Sequence, residues 1–322
     1  MRSIRGIAYV ALLLGFAQVV FGAIVRITGS GMGCGDHWPD CYGAFTPAHN
    51  APSLLVEISH RYGAAALSIA IIALVAIAWT KRRELGVAGS GGALRPSVLA
   101  ILLVIVAALF GAVTVKLSLN PMVVVTHLAI AMSLLAVLVV VVVRSGGLGA
   151  GSVPARYART FRSGWAAVGL TFLALLFGAL TANTPGAAVA CQGFPLCRVV
   201  VEHGTPLAIQ VTHRIIAVLL LGHLIGVFFG VRRREESRAV RTAASVSLSL
   251  VVLQIVIAAA MVELELPPGL RSLHQAVGTA LWISVVALTA LASGVAETTD
   301  IERIVYESPS RGEFATPEGV ST

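Results

Sequence analysis

The stretches EISHRYGA (57–64) and QVTHRIIA (210–217) each set a histidine-arginine pair into a run that is otherwise largely apolar. An ionisable group is costly inside a bilayer, so its presence there marks a bundle interior or a working surface, not a lipid-facing side. The two stretches belong to a larger correspondence. Phe21-Gly22-Ala23 followed by Cys34 and Cys41 is echoed by Phe177-Gly178-Ala179 followed by Cys191 and Cys197, and His127 is echoed by His274. These landmarks recur in one order at an offset of roughly 150 residues, which is the mark of an internal duplication.

Around these landmarks the chain is 57% hydrophobic and only 12% charged, a balance that excludes a soluble globule. Apolar runs of about twenty residues, the length that crosses ~30 Å of hydrocarbon, predict helices at 7–26, 57–79, 97–118, 122–143, 164–183, 206–230, 243–262 and 273–294. Arg2 and Arg5 precede the first run as they would in a signal peptide, but no small-residue cleavage site follows, and the run reads as a retained helix. The fold expected is an all-α polytopic membrane protein whose eight transmembrane helices form two tandem four-helix bundles. Four helices return the chain to its starting side, so the halves share one orientation about an axis along the membrane normal. The expected division is a bundle in 1–145, a linker rich in Gly, Ser, Ala and Arg at 146–163, a bundle in 164–295, and a tail at 296–322 that lacks apolar periodicity and reads as disordered.

The net charge of +8 is distributed unevenly. Most basic residues fall in alternate segments: Arg2 and Arg5; Lys81, Arg82, Arg83 and Arg95; Arg144, Arg156, Arg159 and Arg162; Arg232, Arg233, Arg234, Arg238 and Arg241; Arg303 and Arg311. By the positive-inside rule these segments and both termini are cytoplasmic, in a multi-pass protein of the cell membrane. The basic excess is therefore an orientation signal and predicts no nucleic-acid partner; the lipid bilayer is the partner it implies.

His60, His127, His213 and His274 lie at similar shallow depth on the outer side, the last three shortly after Pro121, Pro206 and Pro268. Two imidazoles from facing helices can hold a tetrapyrrole iron from both sides, and bundle cores are where such cofactors sit. Zinc fits less well, because the pairs come from separate helices without a nearby third ligand. Arg61 and Arg214 directly follow two of these histidines, placed either to meet a propionate or to anchor the helix at the interface. Glu57 shares a helix face with His60 and Arg61, and its counterpart is Gln210. That asymmetry fits a carboxylate kept for chemistry in the first half; a salt bridge to Arg61 is the structural alternative. His223 lacks a repeat partner and reads as structural, and His37, His49 and His203 are loop residues without ligand spacing.

The cysteines lie in pairs in the two outer loops, CGDHWPDC (34–41) and CQGFPLC (191–197). On an oxidising face, pairing within each loop is the expected state, as a structural clip or as a reducible dithiol.

VRITGSGMGCGDHWPDC (25–41), EISHR (57–61), THLAIA (126–131), THRIIA (212–217) and LHQAVGTALW (273–282) together resemble the heme A synthases, and the resemblance covers residues 7–295. The paired cysteines resemble the bacterial form of that family. The resemblance implies an oxidoreductase that converts heme O to heme A by oxidising a ring methyl through a hydroxymethyl stage to a formyl group, serving the biogenesis of terminal oxidases. It implies that His213 and His274 bind a resident heme b, that His60 and His127 hold the substrate heme O, and that Glu57 lies near the reacting edge. A heme O synthase, a membrane or quinone redox partner and a second copy of the chain are the partners compatible with it. The histidines alone permit two other classes: a di-heme cytochrome b that passes electrons without altering heme, and a heme transporter or chaperone.

Overall fold

The computed structural model describes residues 1–41, 51–153 and 156–294, so the tail expected at 296–322 and His49 lie outside the described residues. Eight long helices account for nearly all of it: α1 Arg2–Ile27, α2 Pro52–Thr80, α3 Leu94–Lys116, α4 Pro121–Arg144, α5 Ala158–Asn183, α6 Thr205–Arg233, α7 Arg238–Glu263 and α8 Pro268–Ala292. All eight are long and apolar enough to cross a membrane. The one sheet among the described residues is a two-stranded hairpin, β1 Cys191–Gln192 and β2 Val199–Val200, which brackets the second cysteine pair's loop.

The helices overrun the apolar windows, most at their N-termini. Proline occupies the first turn of α2, α4, α6 and α8, where its missing N–H costs nothing and its fixed φ starts the helix. Hydropathy finds only the hydrocarbon-matched part. Thus α2 begins at Pro52, not near residue 57, and His60 sits in its third turn. Likewise α5 begins at Ala158, inside the stretch expected as linker.

Helix α1 packs on α2 and α4, α2 on α3, and α3 on α4; α5 packs on α6 and α8, α6 on α7, and α7 on α8. Contacts of α1 and α4 with α8, and of α4 with α5, join the two sets. Helix α8 is the most enclosed, with 67% of its apolar window buried against 17% for α3 and α7. Lipid tails give helices no hydrophobic reason to associate, so close packing and polar bonds between helices matter more. Trp282 Nε1 donates to the Met132 carbonyl of α4 at 2.8 Å, and Ser247 and Ser284 join α7 to α8 at 3.0 Å. At the end bearing the N-terminus, buried Glu236 accepts from Thr160 and Arg234 and ties α5 to the α6–α7 turn.

The α3–α4 and α7–α8 turns are built alike. Ser118-Leu119 and Glu265-Leu266 take positive φ as consecutive pairs (49° and 60°; 60° and 62°) just before the prolines that start α4 and α8. His127 and His274 therefore enter their helices in the same way.

Candidate functional site

Both cysteine pairs form: Cys34–Cys41 and Cys191–Cys197 are disulfides. Cys34 and Cys41 pack with Leu54 and Ile58 of α2, seating the first loop on the start of that helix. Each loop is then held by two side chains of the helix below it, an acceptor and an arginine. Glu57 Oε2 accepts the Cys34 backbone N–H at 2.8 Å, and Gln210 Oε1 accepts that of Cys191 at 2.6 Å. Arg61 donates to the carbonyls of His37, Pro39 and Asp40, while Arg214 donates to those of Cys191, Gly193 and Pro195. Arg61 also pairs with Glu57 Oε1 at 2.5 Å, the i,i+4 salt bridge that helical spacing allows. Both arginines thus act as loop clamps, a role that composition and position did not reveal.

One position before each of these arginines lies a histidine. His60 on α2 and His127 on α4 are within electrostatic reach of each other, as are His213 on α6 and His274 on α8. The duplication therefore places one histidine pair in each half. Gly22 of α1 and Gly178 of α5 allow close approach: a Cβ there would meet Cε1 of His60 at 3.1 Å and of His213 at 3.0 Å. Gly111 stands in a looser relation to His127, at 3.6 Å. Phe21 lies beside His60, with ring centroids 6.0 Å apart.

The rings are braced by neighbours that the sequence did not single out. Gln18 of α1 contacts His60, Gln254 of α7 contacts His274, and His213 Nδ1 donates to the Ala174 carbonyl at 2.9 Å. The Ala107 carbonyl approaches His127 but falls short of hydrogen-bond geometry at Nδ1. The signal for Gln18 and Gln254 was an isolated amide inside an apolar helix. His223 donates through Nε2 to the Ser163 backbone carbonyl at 2.8 Å, a structural bond.

These donor sets suit an iron held from two sides. Among the described residues no group of three or more His, Cys, Asp or Glu could hold a bare metal ion. Nδ1 of His127 and of His274 are buried without a partner, so neither ring is fully committed within the protein.

The fold and its loops define an all-α polytopic membrane protein with disulfide-closed loops. The family model described as cytochrome oxidase assembly protein, COX15-CtaA, matches residues 5–286, and the chain belongs to that family. It is 30% identical over 239 residues to a heme A synthase of Alkalihalophilus pseudofirmus, covering 73% of this chain and 79% of that protein. A heme A synthase of Bacillus pumilus is 26% identical over 289 residues (85% and 90% covered), and one of Lysinibacillus sphaericus is 28% identical over 289 (83% and 88%).

Proposed function

We propose that the chain is a heme A synthase, an oxidoreductase that converts the substrate heme O to heme A through a hydroxymethyl stage. The names of its relatives support an enzyme of this kind. The observation that carries the reading is a difference in charge at one position of a repeated scaffold. Both halves have a histidine pair, a glycine against one ring, an arginine clamp and a disulfide loop, yet the first holds its loop with Glu57 and the second with Gln210.

In this reading residues 1–145 are the substrate half, with His60 and His127 as axial ligands of heme O. Residues 164–295 are the resident heme b half, with His213 and His274 as ligands; 146–163 link them and 296–322 are a tail. Electron relay is the chemistry a bound heme b supplies. The Nδ1–H of His213, tied to Ala174, turns Nε2 toward the ligand position. Arg61 and Arg214 are the candidates for propionate contact, with the terminal N–H groups of Arg61 committed to the first loop and Glu57. Glu57 accepts from Arg61 at Oε1 and from the Cys34 N–H at Oε2, which ties the carboxylate to both the clamp and the loop. The basic segments support a cell-membrane protein with cytoplasmic termini; a heme O synthase as supplier and a membrane or quinone redox partner are what the heme A synthase reading adds.

The test is co-expression with a heme O synthase in a host that lacks heme A, followed by pigment extraction and mass analysis. Heme A with its hydroxymethyl intermediate is the expected product. Heme b and unchanged heme O alone, from folded protein, would move the reading to an electron-transfer cytochrome or a heme carrier.

A further inference from the structure

Gln18 and Gln254 make the same unusual bond from different helices. Gln18 Nε2 donates to the backbone carbonyl of His60 at 2.8 Å and lies 3.1 Å from Nδ1 and 3.3 Å from Nε2 of its ring. Gln254 Nε2 donates to the backbone carbonyl of His274 at 3.0 Å and lies 3.1 Å from its ring Nε2. An amide nitrogen donates and does not accept, so a ring nitrogen that receives its N–H carries the lone pair: Nε2 of His274, and in His60 one of the two nitrogens that Gln18 Nε2 reaches. A metal needs that same lone pair.

The other histidine of each pair is braced differently. His213 gives its Nδ1–H to Ala174, which leaves the lone pair on Nε2, and His127 has only the Ala107 carbonyl nearby. The repeat makes the contrast sharper. In the register set by Phe21 and Phe177, the counterpart of Gln18 is Ala174; in the register set by His127 and His274, the counterpart of Gln254 is Ala107. Each half therefore has one amide-held histidine and one faced by a backbone carbonyl, but the halves have exchanged which is which. Room for both amides comes from glycines on the face of the histidine they hold: a Cβ at Gly63 would collide with Gln18 Oε1, and one at Gly278 would stand 3.1 Å from Gln254 Nε2.

We propose that Gln18 and Gln254 are positioning residues that mask one ligand in each half. An iron is taken first by His127 or His213, and by His60 or His274 only after the amide swings off the ring. Gln254 Oε1 and His274 Nδ1, both buried without partners, are the donor-acceptor pair that this swing brings together. In the first half the mask sits on His60, where reversible ligation lets a substrate enter and leave.

This inference rests on the reading of the histidine pairs as heme ligands. Full-length protein stripped of heme is mixed with ferric heme b, and absorbance is followed by stopped flow; ferric heme O is the probe for the first half. The wild type should show a high-spin species that converts slowly to the low-spin, six-coordinate form. In Gln254→Leu that second phase should be several-fold faster and subsequent heme loss about tenfold faster or more, because the brace is gone with the mask. Gln254→Glu, which keeps an acceptor but has no N–H to give, should combine the fast second phase with slow heme loss. Gln18→Leu and Gln18→Glu should do the same with heme O, and the Glu variants, being isosteric, carry the test if the Leu variants fold poorly. An unchanged or slower second phase in the variants overturns the mask while leaving the proposed function intact. Altered kinetics in a protein that makes no heme A overturns the proposed function alone, and a wild type that takes up no heme overturns both.

Discussion

Glu57 Oε2 accepts the backbone N–H of Cys34 at 2.8 Å, and this bond joins the one asymmetric carboxylate of the repeat to a disulfide-closed loop. Gln210 does the same for Cys191, so the acceptor is structural in both halves while the charge belongs to one. The comparison separates two roles that mutation to alanine would confuse.

Glu57→Gln copies the second half. It keeps an acceptor for Cys34 and should leave folding and heme b content near wild type while heme A formation stops. Glu57→Ala strands a buried N–H, at a cost of about 1–3 kcal/mol, and should lower the yield of folded protein as well. Pigment analysis of both variants, normalised to folded protein, separates charge from anchoring; full turnover by Glu57→Gln would remove the carboxylate from the chemistry.

Arg214 spans three carbonyls of the second loop, so Arg214→Ala should loosen that loop by about 3 kcal/mol, the scale of one or two charge-assisted hydrogen bonds. Hydrogen exchange should then accelerate roughly 100-fold across 191–200 and not across the first loop. Equal acceleration in both loops would mean that the clamps do not act locally.

Much of this architecture is legible in residue order, and what is missed has a common cause. Hydropathy finds eight helices because bilayer thickness sets their length, and the landmarks His60, His127, His213 and His274 emerge because duplication repeats them. The Glu57–Arg61 bridge is legible because i,i+4 spacing puts both on one helix face. Gln18 against His60, Gly22 behind the same ring and Arg214 across its loop depend on which helix faces face each other, and no spacing within one helix encodes that. The helix starts are missed for a different reason: Pro52 and Ala158 open helices outside the apolar windows.

Gly178→Ala introduces a Cβ 3.0 Å from Cε1 of His213, and Gly22→Ala one 3.1 Å from Cε1 of His60. Each ring must shift by a few tenths of an ångström. Gly178→Ala should lower heme b affinity about tenfold or more with its low-spin spectrum perturbed, whereas Gly22→Ala should retain heme b and lose affinity for heme O. Heme b quantified by its pyridine complex in both variants checks the assignment of halves; the opposite pattern would reverse it.

The two disulfides differ in access. Cys34 and Cys41 are 0% and 1% exposed, and Cys191 is 1% exposed, but Cys197 lies open on its loop. Thiol exchange requires an attacking thiolate to reach a sulfur, so Cys191–Cys197 should yield first to a graded reductant, with Cys197 the first site alkylated. Mass mapping of alkylated peptides over a dithiothreitol series reads the order directly. The heme b spectrum recorded on the same samples should hold through this first reduction, because Arg214 and Gln210 still secure the loop, and should change only if the clip itself positions His213. Reduction of Cys34–Cys41 at lower reductant than Cys191–Cys197 would show that the first loop opens more readily than its packing on Leu54 and Ile58 implies.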